Sequence, residues 1–306
     1  MAQLSTVEVC AVIVSYEPET RALHRLIASL QPQVGATVIV DNGSSSAVID
    51  GLCQQALIPS TTLISLDENL GIATGVNRGV RWAKCNGYAY CALFDQDSEP
   101  SDDMVAQLLA GFELAQKITR VSAVGPRYID RNNGMVSPFI QLGGLKFRSV
   151  TCSQSNALVP ADFLISSGSL FSVKAFDEIG AMDETLFIDH VDTEWFLRAR
   201  SKGFAAFGVC QAQMTHRLGE NSISVRLWRL LRFPVHTPMR HYYMYRNSIL
   251  LMRRSYVPVA WRFNDSYRLI TAFVLFLIFA PERLRRLKMI CNGLWDGLLG
   301  RSGRYR

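Results

Sequence analysis

The first part of the chain alternates short apolar runs with segments that repeat apolar residues at helical spacing. The apolar runs predict five buried strands, at residues 9–14, 36–40, 62–66, 89–94 and 121–125. The helical spacing predicts four helices between them, at residues 19–30, 48–57, 73–84 and 102–115. Strands that alternate with helices form βαβ units, so we expect an α/β fold with a mostly parallel sheet flanked by helices. Ligands bind such sheets beyond the carboxyl ends of the strands.

This regular alternation ends after Pro126. The segments that follow predict strands or ribbons around a Ser-Ser-Gly turn, at residues 143–147, 163–173 and 204–209. Residues 185–202 predict a loop followed by a helix. Beyond residue 217 the pattern is helical and basic, and we expect helices there.

The charge of the chain is unevenly distributed. The net charge is +6, yet residues 217–306 hold 17 Lys and Arg against 4 Asp and Glu, whereas the preceding residues hold 15 against 22. We therefore predict two regions, a mildly acidic domain over residues 1–216 and a basic helical region over residues 217–306. A solvated helical face is the ordinary explanation for basic residues, but a bias across a whole segment favours an anionic surface as the partner.

Two segments of the basic region point to a membrane surface. Residues 269–280 (LITAFVLFLIFA) form the most apolar stretch, but 12 residues are fewer than the ~20 that cross a bilayer. This stretch predicts either a buried core helix or an interfacial or re-entrant element. Residues 225–232 place three arginines at every third position beside Leu and Trp, which is typical of a helix on an anionic membrane. We expect peripheral membrane attachment and no nucleic acid partner.

Cysteine usage and the N-terminus indicate the compartment. The seven cysteines never form a C-x-x-C pair, and several lie in apolar runs. We therefore expect buried, reduced thiols rather than a disulfide framework or a zinc site. The N-terminus lacks a basic lead followed by an apolar stretch and a cleavage signal, so we expect no export. These features predict a cytoplasmic protein attached peripherally to the inner face of the membrane.

The Asp95-Gln96-Asp97 motif follows the fourth predicted strand. Its two carboxylates can share a divalent cation, or one can bind the cation while the other accepts a hydrogen bond from a ribose. Mg²⁺ and Mn²⁺ prefer oxygen ligands of this kind together with substrate phosphates. A D-x-D pattern is common in acidic loops, but its position at a strand end favours a metal site.

Two other segments lie at predicted strand ends. In Asp41-Asn42-Gly43-Ser44 the carboxylate can accept hydrogen bonds from a nucleobase or a ribose, and an Asx turn with helix capping explains the remaining residues. Residues 69–79 open a helix with glycines at positions 71, 75 and 79. Approach of a nucleotide to the backbone and close helix–sheet packing explain these glycines equally well.

An acidic cluster, Asp189-His190-Val191-Asp192-Thr193-Glu194, precedes a predicted helix. Crowded like charges raise carboxylate pKa values, which suits a general base. Asp192 can also cap the helix, with acidic side chains in its first turn, and the two roles are compatible. His216 follows another predicted strand and can complete a metal site with Asp95 and Asp97 if the two strand ends meet.

Together these motifs resemble the family 2 glycosyltransferases of GT-A fold. The matching segments are Val-Ser-Tyr at 14–16, Val-Asp-Asn-Gly-Ser at 40–44, Asn-Leu-Gly-Ile-Ala at 69–73, Asp-Gln-Asp at 95–97, the cluster around Asp192, and His216-x-x-Gly-x-x-Ser. Residues 163–168, 186–194 and 293–298 are similar to bacterial rhamnosyltransferases, including those that act on rhamnolipid precursors and on lipopolysaccharide core. The resemblance implies a nucleotide-sugar-binding catalytic domain over residues 1–216 and an acceptor-side, membrane-associating region over residues 217–306.

The resemblance implies that five residues and one segment bind the donor. Asp41 would bind the nucleobase and ribose, and Ser15 and Tyr16 would line that pocket. Weaker matches to donor-side and diphosphate-side elements are Asn69, Arg78 and residues 242–247 (YYMYRN).

The resemblance also assigns a metal site and a catalytic base. Asp97 and His216 would ligate Mg²⁺ or Mn²⁺, with Asp95 on the metal or the ribose. Asp192 would be the catalytic base. Val191 replaces the Glu that usually precedes this Asp in the family, which leaves neighbouring carboxylates to share the work. The candidate acceptor-side residues are Ser166, Ser167, Asp189 and Glu194.

The implied reaction is an inverting transfer of L-rhamnose from dTDP-L-rhamnose by metal-assisted single displacement. The acceptor would be a membrane-associated glycan or glycolipid, either lipopolysaccharide core or a rhamnolipid precursor. Two alternatives remain. One keeps the chemistry but uses another nucleotide sugar such as UDP-galactofuranose, and the other is a non-catalytic membrane-bound subunit that retains the fold.

Overall fold

The computed structural model describes residues 5–130, 134–144, 146–153, 157–216, 222–226, 230–234 and 237–305. Its central sheet begins with four parallel strands, β1 (Val9–Ser15), β2 (Ala36–Asp41), β3 (Thr61–Ser65) and β4 (Tyr90–Asp95). They lie in the order β3-β2-β1-β4. This confirms the parallel sheet that the alternation of strands and helices predicts.

The other half of the sheet mixes strand directions. It contains β5 (Glu99–Pro100), β6 (Val121–Asp130), β9 (Leu158–Ala161), β10 (Leu170–Ser172) and β11 (Ala205–His216). Strand β10 lies antiparallel between β4 and β6, whereas β11 runs parallel to β6. Strands β5 and β9 both pair antiparallel with β11. A separate hairpin is formed by β7 (Phe139–Gly143) and β8 (Lys146–Val150).

Helices cover both faces of the sheet. They are α1 (Thr20–Leu30), α2 (Ser46–Gln55), α3 (Ile72–Cys85), α4 (Met104–Gln116), α5 (Val173–Ile179) and α6 (Val191–Ser201). All seven residues of β1 are buried. Alternate residues of β1 join a core with α1 and α4 on one face and a core with α3 and α6 on the other. Burial on both faces explains why this strand is a continuous apolar run in the sequence.

Helix α3 packs closely on the parallel strands. A Cβ atom at Gly75 would lie 2.5 Å from Val14 Cγ1, and one at Gly79 would lie 2.2 Å from Val12 Cγ1. These two glycines are therefore explained by helix–sheet packing, one of the two explanations that the sequence leaves open. Gly71 differs because its φ is +91°, and a Cβ there would meet the backbone oxygen of Phe187.

The predicted turn at the Ser-Ser-Gly segment is confirmed, because the chain turns at residues 166–168 before β10, although α5 already begins at Val173. The helix predicted over residues 225–232 is wrong for the residues that the structure describes: β12 (Ser222–Arg226) and β13 (Leu230–Pro234) pair antiparallel. Apolar and polar residues alternate strictly through β12, and a period of two residues favours a strand over a helix.

The cysteine prediction is confirmed only in part. Cys10 and Cys91 are buried free thiols, as expected. However, Cys53, Cys85 and Cys291 are exposed, and Cys152 and Cys210 form a disulfide. The pair is 58 residues apart in the chain, and folding brings the two Cα atoms to 5.7 Å, a separation that sequence spacing does not reveal.

Three helices end the chain, namely α7 (Pro238–Met252), α8 (Val259–Phe279) and α9 (Arg283–Leu298). Helices α7 and α9 pack tightly, since a Cβ at Gly293 would lie 2.4 Å from the backbone oxygen of Tyr242. The apolar stretch at residues 269–280 lies mostly within α8. Among the described residues, no helix combines the length and the apolar character that crossing a bilayer requires.

Candidate active site

Three predicted site residues lie side by side at the carboxyl edge of the parallel strands. In the strand register Ser15 of β1 is opposite Asp41 of β2, and Val14 is opposite Asp95 of β4. The sheet thus places the Asp41 and Asp95 strand ends on either side of β1. This is the edge at which parallel α/β sheets bind ligands.

The Asp41 carboxylate is fully buried in a polar pocket. It accepts hydrogen bonds from the Ser44 backbone N–H at 2.9 Å and from the Ser44 hydroxyl at 2.5 Å. The Ser15 hydroxyl donates a third at 3.4 Å. Asn42 then connects this pocket to Asn69, because its side-chain amide donates to Asn69 Oδ1 at 3.2 Å. The structure therefore brings Ser15, Asp41 and Asn69 together.

The two remaining donor-side residues lie at the surface. Tyr16 follows β1 with its side chain exposed, and its backbone N–H donates to Gln96 Oε1 at 2.8 Å. The central residue of the Asp-Gln-Asp motif thus ties that motif to the loop after β1. Arg78 is exposed on α3, ~9 Å along the helix axis from its first residue.

The turn at residues 166–168 forms hydrogen bonds with the end of β4. The Asp95 backbone N–H donates to Ser167 Oγ at 3.0 Å, and the Gly168 N–H donates to the Leu93 oxygen at 2.6 Å. Tyr128 lies beneath the turn and donates its hydroxyl to the Ser167 oxygen at 2.6 Å. Ser167 is buried, and these contacts position the end of β4. Sequence reasoning did not identify Tyr128.

Asp192 lies in the first turn of α6, close to this turn and to Asp95. Burial raises the pKa of Asp192, and the Asp189 and Asp95 carboxylates raise it further. Hydrogen bonds from the Thr193 and Ser166 backbone N–H groups oppose the shift. The pKa of this carboxylate is therefore shifted upward from the ordinary Asp value, which is the direction that a general base requires.

The loop before Asp192 has an unusual backbone conformation. Phe187, Asp189 and His190 have φ values of +65°, +63° and +62°, although none of them is glycine. Such positions are strained and persist only when their surroundings hold them. Here α7 and α8 do so. The Asn247 side-chain amide contacts the backbone oxygens of Leu186, Ile188 and Asp189 at 2.7–2.9 Å.

Neighbouring residues of α7 and α8 also contact the loop before Asp192. Arg246 donates to the Leu186 oxygen at 2.9 Å, and Ser248 Oγ lies 3.0 Å from His190 Nε2. Arg268 of α8 donates to the same ring nitrogen at 3.3 Å. Residues 246 and 247 belong to the segment that resembles a diphosphate-side element. The structure instead places both side chains in the interior, holding the loop before Asp192.

The two other carboxylates of the acidic cluster have partners. Asp189 pairs with Arg240 of α7 at 3.0 Å. Glu194 is fully buried on the far side of α6 and pairs with Arg198 at 2.8 Å and Arg254 at 3.2 Å. Glu194 is thus part of a buried ion cluster, and the structure does not bring it to the cleft with Asp192.

The predicted metal ligands come from two neighbouring segments of the sheet. Strand β11 ends at His216 beside β5, with Thr215 opposite Glu99, so its end meets the segment that follows Asp97. Asp95 is half-buried and Asp97 is exposed, and their oxygens are the hard donors that Mg²⁺ or Mn²⁺ prefers. The His216 side chain lies outside the described part of the structure. Among the side chains that are described, no group of three His, Cys, Asp or Glu residues could hold a metal.

The sequence of the chain matches a known family and known proteins. Residues 10–180 match the profile described as Glycosyl transferase family 2. The chain belongs to this family. It is 30% identical to the dTDP-rhamnosyl transferase RfbF of Shigella flexneri over 295 residues, which is 96% of each chain. It is 27% identical to the low-salt glycan biosynthesis hexosyltransferase Agl10 of Haloferax volcanii over 209 residues, covering 65% of this chain and 64% of Agl10.

Solved structures of the same fold agree with this assignment. The crystal structure of GalNAc-T7 with UDP, GalNAc and Mn²⁺ superposes with a TM-score of 0.56 at 13% identity, covering 89% of this chain and 58% of that one. The structure of S. aureus TarS 1–349 superposes with a TM-score of 0.56 at 11% identity, covering 94% and 80%. The GT-A fold is therefore confirmed, and this member of family 2 is a glycosyltransferase.

The perturbed pKa of Asp192 leads to a prediction about pH. We expect kcat/KM to fall as the pH drops through a pKa above the ordinary Asp value of 3.8, because protonated Asp192 cannot accept a proton. Asp189→Asn should move this acidic limb to lower pH, since it removes a carboxylate that raises the pKa. Asn also tolerates the positive φ at this position. Complete pH–rate profiles of the two proteins test this, and an unmoved limb would contradict it.

Proposed function

We propose that the chain is an inverting rhamnosyltransferase that transfers L-rhamnose from dTDP-L-rhamnose to a membrane-associated glycan or glycolipid. The observation that carries the proposal is the match to RfbF, named a dTDP-rhamnosyl transferase, across 96% of both chains. Because the match covers almost all of both chains, it includes both the donor side and the acceptor side. Lipopolysaccharide core or a rhamnolipid precursor is the proposed acceptor class.

The residues at the carboxyl edge divide the work of this reaction. Asp41, Ser15 and Asn69 form the polar pocket for the nucleoside, with Tyr16 at its rim. Asp95, Asp97 and His216 would hold Mg²⁺ or Mn²⁺. When bound, the cation would neutralise charge on the diphosphate of the donor.

Asp192 is the proposed catalytic base. It takes the proton from an acceptor hydroxyl, whose oxygen bonds to the anomeric carbon of the sugar. The bond from that carbon to the diphosphate breaks, and the electron pair leaves with the nucleoside diphosphate. A single displacement inverts the anomeric configuration, so the β-linked donor gives an α-rhamnoside.

The proposal also divides the chain by role. Residues 1–216 carry the donor site and the base, and residues 217–306 form the acceptor side at the cytoplasmic face of a bacterial membrane. The excess of basic residues in the second region supports an anionic membrane surface as partner. The contacts of α7 with the loop before Asp192 place this region beside the proposed base.

A second candidate donor follows from the other relative. Agl10 is named a hexosyltransferase, so the same site with another nucleotide sugar, such as UDP-galactofuranose, is the alternative. The remaining alternative, a non-catalytic subunit, is disfavoured because the chain belongs to a family of glycosyltransferases.

The experiment is a donor panel at fixed Mn²⁺ and Mg²⁺. The purified full-length chain is incubated with membranes from a strain that lacks the gene, and nucleoside diphosphate release and sugar incorporation into lipid-extractable glycan are measured. dTDP-L-rhamnose should give turnover at least about tenfold above dTDP-glucose and UDP-galactofuranose. Preferred turnover of UDP-galactofuranose would overturn the rhamnosyl assignment.

The proposed metal ligands predict a metal-dependent phenotype. EDTA should abolish transfer, and Asp97→Ala should raise the Mn²⁺ concentration for half-maximal activity by at least about tenfold, because it removes a carboxylate ligand. The matched control is Asp102→Ala, an exposed carboxylate in the same region of the chain that should behave like the unaltered protein. Equal Mn²⁺ requirements in all three proteins would contradict the ligand assignment.

A further inference from the structure

Helix α8 exposes its apolar residues. Six large side chains follow one another at intervals of three or four residues, and each is between 47% and 69% exposed. This outward stripe consists of Val259, Phe263, Tyr267, Ile270, Val274 and Ile278. Side chains at this spacing share one face of a helix, so the stripe is continuous along α8. Its ends are 19 residues apart, which corresponds to ~28 Å of helix.

The opposite face of α8 packs into the protein and carries polar as well as apolar side chains. Its buried apolar residues are Trp261, Leu269 and Phe276. Asp265 is also buried and pairs with Arg268 at 2.7 Å. Arg268 donates to His190 at 3.3 Å. A helix on the surface of a protein surrounded by water normally has polar residues on its outward face. The apolar outward stripe of α8 therefore indicates that this face contacts an apolar medium.

An apolar groove continues this surface. It has a volume of about 340 Å³ and lies between α7, α8 and α9, where Ile249, Phe273 and Leu294 are among its lining residues. On the outer side of α9, Leu284, Trp295 and Leu298 are exposed. The stripe and the groove share Ile270 and therefore form one continuous apolar area, which single exposed apolar residues do not explain.

Exposed basic side chains lie just beyond the C-terminal end of α8. Arg283, Arg285 and Lys288 are exposed in the first two turns of α9, which follows α8 directly. Across residues 237–305 there are 12 Lys and Arg but 3 Asp and Glu. Apolar residues on one face with a cationic border are typical of helices that lie in the interface of an anionic membrane.

We propose that the outward stripe of α8, with the basic turns of α9, docks on an anionic phospholipid bilayer. The helix then lies in the plane of the membrane, with the stripe among the acyl chains near the headgroups and the arginines against the phosphates. A second copy of the chain is the competing occupant, but it would bring a second basic border against the first. This proposal rests on the proposed function, in which the acceptor is part of a membrane.

A side chain of α8 connects the docking helix to the loop before Asp192. Arg268 joins the inner side of α8 to His190, which lies two residues before Asp192. Docking through α8 therefore fixes the orientation of this loop, and of the cleft beside it, relative to the bilayer surface. An acceptor sugar on a lipid carrier would be presented at a constant height above that surface.

Flotation with vesicles tests the docking surface in the full-length chain. Vesicles of phosphatidylcholine alone are compared with vesicles that contain phosphatidylglycerol. The first variant is Phe263→Glu/Ile270→Glu/Ile278→Glu, and the second is Arg283→Gln/Arg285→Gln/Lys288→Gln. The matched control is Leu57→Glu/Ile118→Glu, which alters two exposed apolar residues far from α8 in the sequence. Thermal melting confirms that each variant is folded.

The unaltered chain and the Leu57→Glu/Ile118→Glu control should float with the anionic vesicles and much less with phosphatidylcholine alone. The α8 variant should reduce the bound fraction at least about tenfold, and the α9 variant should remove the preference for anionic lipid. Failure of the unaltered chain to float, or equal flotation of the α8 variant, would overturn the proposal. So would light scattering that shows a dimer, abolished by the α8 variant, without vesicle binding.

Donor turnover separates this proposal from the proposed function. Transfer of rhamnose from dTDP-L-rhamnose to a detergent-solubilised extract of the acceptor membranes, without vesicles, is measured on the same preparations. Vesicle binding without turnover of this donor would reject the rhamnosyl assignment and leave the docking surface intact. Turnover without vesicle binding would reject the docking surface alone.

Discussion

Replacing Asp192 with Asn should lower kcat for sugar transfer by about 10²- to 10⁴-fold, because Asn cannot accept the proton of the acceptor hydroxyl. The side chain keeps its shape, and its oxygen can still accept the hydrogen bond from the Thr193 backbone N–H that Asp192 accepts at 2.7 Å. We therefore expect the melting temperature and the Kd for donor and Mn²⁺ to stay unchanged. Steady-state kinetics and calorimetric titration measure the two effects.

The control for this prediction is Asp177→Asn, which alters an exposed carboxylate paired with Lys84 at the surface. It should leave kcat and donor affinity unchanged. Turnover of Asp192→Asn within about threefold of the unaltered protein would remove Asp192 from the role of base. Asp189, which pairs with Arg240 beside the same loop, would then be the next residue to alter.

Replacing Glu194 with Ala should lower the free energy of unfolding by about 3–5 kcal/mol. Glu194 is fully buried and accepts hydrogen bonds from Arg198, Arg254 and Tyr256. Its removal leaves two cations without the carboxylate that they share. Urea unfolding followed by circular dichroism gives the free energy, and the protein should remain folded without denaturant.

Two variants show whether burial of the charge causes this loss. Glu194→Gln keeps one acceptor oxygen, which can replace Oε1 in its contacts with Arg198, Arg254 and Tyr256, so it should cost less than Glu194→Ala. Asp177→Ala breaks an exposed ion pair of 2.7 Å and should cost less than about 1 kcal/mol, because water screens that pair. Equal losses in Glu194→Ala and Asp177→Ala would contradict the buried ion cluster.

The parallel half of the fold and the donor edge are predictable from the sequence. Strands buried on both faces are continuous apolar runs, so β1, β2 and β4 appear in the sequence within one or two residues of their observed ends. Parallel direction then brings their carboxyl ends together. Asp41 and Asp95 each follow such a run, so the sequence alone predicts that they lie at one edge of the sheet.

Features that depend on distant contacts are not predictable in this way. The roles of Asn247 and Arg246 arise from hydrogen bonds to a loop about 60 residues earlier in the chain. Glu194 and Asp192 belong to the same acidic cluster in the sequence. Their side chains point to different sides of α6, so the two carboxylates have different surroundings. The pairing of β12 with β13 is not predictable in this way either, because arginines at every third position favour a helix and the alternating pattern in β12 is short.

The contacts of Asn247 with three backbone oxygens limit how acceptor specificity can be exchanged among relatives. A chimera joined near residue 216 would unite the front part of one enzyme with the C-terminal helices of another. The loop of the first would then rely on an amide from the second to maintain its positive φ values. We therefore expect chimeras to be functional when residues 186–190 and α7 come from the same enzyme. For the same reason, the loop and the helix should be inherited together during evolution.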